Sequence, residues 1–274
     1  CFHPDTIIET IRGRVKIKDI TEPTYVYSMD ENQKLCIRYA SASFVSRKGQ
    51  ITRKITLRNG SSIQVTLDHE LYLHDKGWTK AIDLKLGDRI VHLSRNRRGK
   101  RYSGVKLTSQ PPRDYKMEHL LIWEALNGSV DDRCIHHIDG DTYNNSIDNL
   151  RVMTISDHNR HTATFDNPQE HQIRDLNGRF ISPEEKYPVK IKNVPNELKT
   201  NLKNQGYNSI ISIETGEITD VYDIQVQGTN CLIANNIVAH NCGEVPLSAY
   251  DSCRLGSINL YSFVDIPFTE HSLF

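Results

Sequence analysis

The first residue is Cys1, and near the far end stands Val238-Ala239-His240-Asn241-Cys242. These are the residue types that rearranging a peptide bond without water requires. A cysteine ionises to a useful fraction near neutral pH, so Cys1 can serve as an internal nucleophile where serine would do so poorly. The side-chain amide of Asn241 can close on its own backbone carbonyl, forming a succinimide and cutting the Asn241–Cys242 bond. His240 is the neighbouring acid able to polarise that carbonyl. Cys242 supplies a second sulfur, and acyl exchange between two thiols becomes effectively unimolecular when a fold holds them within reach. A second cluster lies midway, where Cys134-Ile135-His136-His137-Ile138-Asp139-Gly140-Asp141 is followed by Asn144-Asn145, Asp148-Asn149-Leu150 and His158. Adjacent histidines alone describe a solvated loop; the added Asp-Gly, Asn-Asn and Asp-Asn-Leu elements point to a built site.

The elements that must position these residues change character along the chain. From Cys1 to about Leu93, short alternating apolar stretches such as Thr24 to Ser28, Ile55 to Leu57, Ile63 to Leu67 and Arg89 to Leu93 predict strands. The same texture returns at Ile210 to Ile213, Val221 to Val226 and Cys231 to Ala234, with turns expected at Thr215-Gly216 and Gln227-Gly228. Between them an apolar stripe at Leu120, Leu121, Trp123 and Leu126, stopped by Asn127-Gly128, predicts a helix. A class change flanked by β on both sides suggests one β domain interrupted by an insertion.

Bulk properties narrow the classes. The chain has 274 residues, 37% of them hydrophobic, and a formal net charge of zero, as suits a soluble globular protein with room for two domains. No apolar run is long enough to span a membrane and no signal peptide is present, so a cytoplasmic setting without membrane contact is expected. Six scattered cysteines without a CxxC pair indicate neither a zinc ribbon nor a dense disulfide framework. Zero net charge hides a basic stretch: from Ser94 to Lys116 eight Lys or Arg face one acid, Asp114. That stretch is either a solvated linker or a phosphate-tracking arm.

At four places the chain resembles the intein (Hint) family: Cys1-Phe2-His3-Pro4-Asp5-Thr6, Val65-Thr66-Leu67-Asp68-His69, Gly77-Trp78 through Leu86-Gly87-Asp88, and Val221-Tyr222-Asp223 to Asn241. The resemblance implies autocatalytic protein splicing, with no cofactor for that step. It assigns proton delivery at the Cys1 nitrogen to His69, polarisation of the scissile bond to Thr66, and coupling of the steps to Asp223. Many relatives carry histidine where this chain has Asn230, which can hydrogen-bond but cannot shuttle protons at neutral pH. Slower or more Asp223-dependent C-terminal cleavage is therefore expected.

Over roughly 118–161 the chain resembles HNH nucleases of the homing-endonuclease type. The resemblance implies two short strands and a helix (ββα-metal) holding one divalent cation, expected to be Mg²⁺, against a phosphate of double-stranded DNA. His137 would be the general base, His136 and His158 the metal ligands, and Asn149 the residue pinning the His137 loop; His161 is a weaker candidate. Arg95, Arg97, Arg98, Lys100 and Arg101, with the lysines from 186 to 203, would contact phosphates, and 172–182 looks like a hairpin of a small DNA-binding module.

After Asn241, Cys242-Gly243-Glu244-Val245-Pro246-Leu247 and Cys253-Arg254-Leu255-Gly256-Ser257-Ile258-Asn259-Leu260 resemble the catalytic region of adenosylcobalamin-type ribonucleotide reductase large subunits, where Cys242 and Cys253 would be active-site cysteines of the spliced host. The organisation expected is thus a discontinuous, horseshoe-like β splicing domain (1–94 and 206–241), an inserted α/β nuclease region (95–205, core 118–161) and a host fragment (242–274), flanking host segments being partners. As nothing precedes Cys1, only Asn241-driven release of the tail is expected of this sequence itself. The competing readings are an HNH endonuclease on an inert β scaffold, a reductase fragment, and a hedgehog-like autoprocessing domain, which would not need Asn241 followed by Cys242.

Overall fold

The computed structural model describes the backbone of residues 1–98, 102–111, 113–165 and 208–241, and the side chains of all of these except 97, 98 and 161–165. All of them fall in one compact unit, Cys1–Gly243. Lys100, Arg101, the 172–182 segment, the lysines from 186 to 203, and the tail with Cys242 and Cys253 lie outside the described residues.

The first stretch forms β1 (Ile7–Thr10), β2 (Gly13–Lys16), β3 (Thr24–Met29), β4 (Leu35–Ala40), β5 (Phe44–Leu57), β6 (Ser62–Thr66), β7 (Glu70–Leu73) and β8 (Gly77–Lys80). The middle adds β9 (Leu93–Arg98), β10 (Tyr102–Leu107), β11 (Lys116–Met117), α1 (Glu118–Asn127), β12 (Arg133–His137), β13 (Leu150–Thr154) and α2 (Ile155–Phe165). The last stretch returns as β14 (Ile210–Asp223), β15 (Cys231–Ala234) and β16 (Ile237–His240). One curled sheet runs β4-β3-β1-β15-β16-β7-β8 with β2 paired to β1, and a second runs β14-β5-β6. The two ends of the chain are therefore interleaved: β15 from the last stretch lies beside β1 from the first, with Ala234 opposite Ile8.

Alternation explains the strands. In β6 and β7 every second residue is buried, Ile63 and Val65 then Leu71 and Leu73, because successive side chains point to opposite faces of the pleat. The Asn235-Asn236 pair joining β15 to β16 takes φ of 48° and 65°, the left-handed pair that a tight hairpin turn demands. The turn expected at Thr215-Gly216 is instead an irregularity inside the continuous β14, with a register shift between Thr215 and Ile218. Gly216 is needed there because a Cβ would stand 2.5 Å from Thr52 Oγ1, so the glycine marks a close approach of strands and not a reversal.

Two apolar clusters make the core. The first joins Phe2, Ile8, Val26, Ile55, Leu71 and Leu232 inside the two main sheets. The second joins Ile11, Tyr27, Val91 and Val238 of the outer strands to Val105, Leu121, Ile135 and Leu150 of the middle, so the middle shares its core with the strands around it. α1 buries Leu121 and Ile122 and ends at the C-cap Gly128, whose positive φ of 77° glycine adopts without strain and whose N–H donates to Glu124 O. Among the described residues no helix is long and apolar enough to cross a membrane.

Candidate functional site

Cys1 is 1% exposed. Its successor Phe2 bridges Val65 of β6 and Tyr222 of β14, with paired backbone hydrogen bonds of 2.8 Å to Tyr222. Anchored between two strand ends, the Cys1 nitrogen meets three side chains delivered by separate elements. It lies 2.6 Å from His69 Nδ1 in the turn between β6 and β7, 3.3 Å from Thr66 Oγ1 at the end of β6, and 3.7 Å from Asp223 Oδ2 at the end of β14. The turn is set locally, as His69 N donates to Thr66 O and Thr66 N to Cys1 O, each at 3.1 Å.

Burial against Phe2, with ring centroids 4.4 Å apart, pushes the His69 pKa well below its usual value, and the neighbouring Cys1 ammonium, His240 and Arg47 act in the same direction. The ring is neutral at rest, with a basic nitrogen facing the Cys1 nitrogen. Asp223 is fully buried and also accepts from Ile224 N at 3.0 Å.

β16 carries the other end of the chain to the same place. Ala239 pairs with Leu71 of β7, which brings His240 close enough to act electrostatically on His69. Asn241 is 1% exposed; its backbone N donates to Asn230 O at 3.0 Å, and its Oδ1 is buried with no hydrogen-bond partner among the described residues. The His240 ring meets Trp78 edge to face at 5.1 Å. Asn230 sits at φ 50°, a conformation asparagine tolerates better than most residues, and it is its backbone oxygen that accepts from Asn241 N.

A second constellation stands on the middle segment. His136 and His137 end β12, which pairs with β13. The His136 ring lies 5.4 Å from that of His158 in the first turns of α2. Asn149 closes the loop between the strands: its Oδ1 accepts from Asp139 N at 3.0 Å, and its Nδ2 donates to Asp139 Oδ1 and Asn144 O at 2.8 Å. His137 is 4% exposed, with Nε2 3.0 Å from Asn145 Oδ1. Asn145 Nδ2 in turn donates to Glu118 Oε2 at 3.1 Å. A carboxylate accepts only, so this chain of bonds orients the amide, makes His137 Nε2 the protonated nitrogen and leaves Nδ1 basic.

Arg95 is a correction. Expected to contact phosphate, its guanidinium turns inward to Glu9 Oε2 at 2.7 Å and Glu118 Oε1 at 3.1 Å. Burial works to raise the Glu118 pKa, but Arg95, Ser103 and Tyr27 outweigh it and hold the carboxyl below its usual range. The described residues of this stretch are built into the fold, β9 and β10 pairing antiparallel from Leu93–Leu107 to Arg98–Tyr102. Arg97 and Arg98 lie in β9 with their side chains outside the described residues. Among the described residues no three His, Cys, Asp or Glu side chains converge on a metal position.

Sequence reasoning missed Ser46 and Arg47, which flank the Cys1 sulfur: the Cys1 thiol donates to Ser46 Oγ at 3.2 Å, and Arg47 Nη2 donates to Cys1 Sγ at 3.2 Å. Nothing in Phe44 to Leu57 distinguishes them from any polar pair on a strand.

Comparison with known proteins gives a match of residues 6–241 to the family model described as the intein splicing domain. Among solved structures, the chain is similar to a DnaB intein from Synechocystis sp. (15% identity, 88% of this chain and 97% of that one, TM-score 0.44). It is also similar to a DnaX mini intein from Spirulina platensis (15% identity, 88% and 98%, TM-score 0.43). Curated relatives include a DNA gyrase protein of Synechocystis sp., 25% identical over 176 residues that make up 58% of this chain and 16% of that protein. DNA topoisomerase 1 of Pyrococcus furiosus is 33% identical over 95 residues, 33% of this chain and 9% of that protein. The chain thus spans only a small part of the curated proteins it matches.

Proposed function

Because this chain belongs to the family of intein splicing domains, we propose that it splices through Cys1, Thr66, His69, Asp223, His240, Asn241 and Cys242. The observation that carries the assignment is the convergence of Thr66, His69 and Asp223 on one buried nitrogen, that of Cys1. With a residue placed before Cys1, that nitrogen is the amide of the scissile bond. The Cys1 sulfur adds to the preceding carbonyl carbon, the C–S bond forms, and the C–N bond breaks as the nitrogen gains a proton. His69 Nδ1 is the titratable atom within hydrogen-bond reach of that nitrogen. Thr66 holds the nitrogen in line, and Asp223 compensates the positive charge that develops on it.

Cys242 then takes the acyl group, and Asn241 cyclises to free the joined product. A side chain held out of water and close to its own backbone is suited to ring closure, since water is the competing nucleophile. With the amide side chain of Asn230 standing where relatives carry an imidazole, His240 is left as the acid at this step. The test is the intact mass, over time, of a chain with a short segment restored before Cys1. A free piece from Cys1 to Asn241 and a joined flanking product, both abolished by Cys1→Ala or Asn241→Ala, are expected; an unchanged precursor under reducing conditions would refute the assignment.

A second reading is favoured by the approach of His136 to His158 across the β12-β13-α2 unit. We infer an HNH-type homing endonuclease acting on double-stranded DNA, with His137 as base through Nδ1 and Asn149 holding its loop. Two imidazoles would anchor a divalent cation, Mg²⁺ completing its shell with water and phosphate oxygens and Zn²⁺ or Ni²⁺ binding more tightly. Such a cation supplies charge stabilisation at the phosphate. The tail from Cys242 to Leu260 supports a ribonucleotide reductase as host, with adenosylcobalamin belonging to that spliced enzyme alone. Cleavage of the uninterrupted host gene, lost in His137→Ala, checks this reading; full cleavage by that variant would sink it.

A further inference from the structure

In a regular strand, neighbouring side chains point to opposite faces, yet Ser46 and Arg47 both reach the Cys1 sulfur. The register accounts for this. Val45 of β5 lies opposite Tyr222 and Arg47 opposite Val221, so β5 carries one extra residue, Ser46, against β14. Such a bulge re-aims a side chain, and here it turns two consecutive polar groups onto one atom. Arg47 is held in place from the other side by Asp68, whose carboxylate oxygens lie 2.8 and 3.1 Å from the same Nη2.

Resting on the reading of Cys1 as the splicing nucleophile, we propose that Arg47 is a further catalytic residue: its guanidinium, set by the Ser46 bulge and clamped by Asp68, stabilises the Cys1 thiolate that attacks the preceding carbonyl. The thiol loses its proton, the sulfur forms the new C–S bond, and a proton returns at the Cys1 nitrogen as the C–N bond breaks, so atoms and charge balance without a co-reactant. Ser46 reverses its role across this step. Its Oγ accepts from the thiol, and its O–H donates to the thiolate, so the sulfur keeps a partner in both states. An N–H donor beside sulfur is the environment that lowers a cysteine pKa and raises the fraction present as nucleophile.

The charged and titratable groups around Cys1 make Arg47 the cation assigned to sulfur. Asp223 and His69 face the nitrogen. His240 acts on His69 from the β16 side, and Asp68 pairs with Arg47 itself. Once the nitrogen is an amide, its own positive charge is gone and Arg47 carries the cationic contribution at the sulfur.

The experiment uses the full chain with a short segment restored before Cys1 and Asn241→Ala to stop later steps, reading hydroxylamine-released segment against pH from 6 to 10. Arg47→Gln is expected to slow release about tenfold at pH 7, since one pKa unit changes the thiolate fraction tenfold. The deficit should close by about pH 10, where the thiol ionises unaided, and Arg47→Lys should recover much of the rate at pH 7. A folding defect would persist at every pH and would not be relieved by lysine. Release in the parent chain with an Arg47→Gln profile superimposable on it, or a deficit independent of pH, overturns the inference. No release from the parent at any pH instead overturns the splicing assignment on which it rests.

Discussion

The nitrogen of Cys1, at the start of the chain, is met by Thr66 and His69 at and just past the end of β6 and by Asp223 at the far end of β14, parts widely separated in sequence. His136, His137, Asn149 and His158 all belong to the single stretch 133–165, in one hairpin and the helix that follows it. The first site exists only once β6, β7, β14 and β16 have closed their sheets. The second has its geometry written largely in local turns, with Asn149 tying its own loop. Yet the second is not independent. Its His137 is oriented through Asn145 and Glu118, and Glu118 is bound to Tyr27 of β3 and to Arg95, which also holds Glu9 of β1. A local site has been fastened to a non-local sheet by one buried polar network.

The largest effects should separate the two sites. His69→Ala is expected to lower thioester formation by about a hundred- to ten-thousand-fold, the range for loss of a positioned acid or base, while His158→Ala leaves that rate unchanged and abolishes divalent-cation binding measured by calorimetry. Loss of both functions in both variants would erase the distinction. Next comes the fastening. Glu118→Ala leaves the buried Tyr27 hydroxyl and Asn145 Nδ2 without their carboxylate acceptor and takes one carboxylate from Arg95, and each buried donor left unsatisfied costs about 1–3 kcal/mol. Trp78 lies on β8 of the curled sheet and Trp123 on α1, so Trp78→Phe and Trp123→Phe chains each report one region. Urea transitions of the two should coincide; distinct midpoints would show separately folding regions.

A smaller effect depends on pH. Burial drives the pKa of His92, beside the outer sheet, and of His119, on α1, down to about 4. In the unfolded chain each takes up a proton below about pH 6.5, whereas the folded protein resists until about 4. Stability is therefore full above pH 6.5 and falls between 6.5 and 4, by at most about 3 kcal/mol per histidine. His92→Gln and His119→Gln should each flatten the same transition if the regions are coupled, as denaturation midpoints across this window would reveal. Smallest is Gly216→Ala, where the new Cβ crowds Thr52 Oγ1. The expected cost is about 1–3 kcal/mol in thermal denaturation, with His136 and His158 undisturbed.

The strands of both ends and the helix ending at Gly128 are legible in the sequence because each depends on near neighbours, whereas the nearness of His136 to His158 comes from the nuclease resemblance. Alternation marks a half-buried strand, and a glycine past an apolar stripe marks a helix end. Thr215-Gly216 misleads for the same reason: glycine signals backbone freedom or close approach, and only the partner strand tells which. Arg95 reads as a DNA contact because a run of basic residues looks solvated until two buried carboxylates from β1 and α1 are placed beside it. Arg47 and Ser46 leave no trace, since a bulge is a property of a pair of strands.

What the sequence determined by itself is the inventory of chemistry: a cysteine at one end, an asparagine followed by a cysteine at the other, histidines and asparagines between, and the strand periodicity around them. Only the tertiary structure decided which of these meet. Register between β5 and β14 turned Arg47 onto sulfur, pairing of β16 with β7 brought His240 beside His69, and the shared core bound the middle to the sheets. Such choices depend on contacts between residues far apart in the chain, whose pairing is selected by burying whole faces at once and not by any local preference.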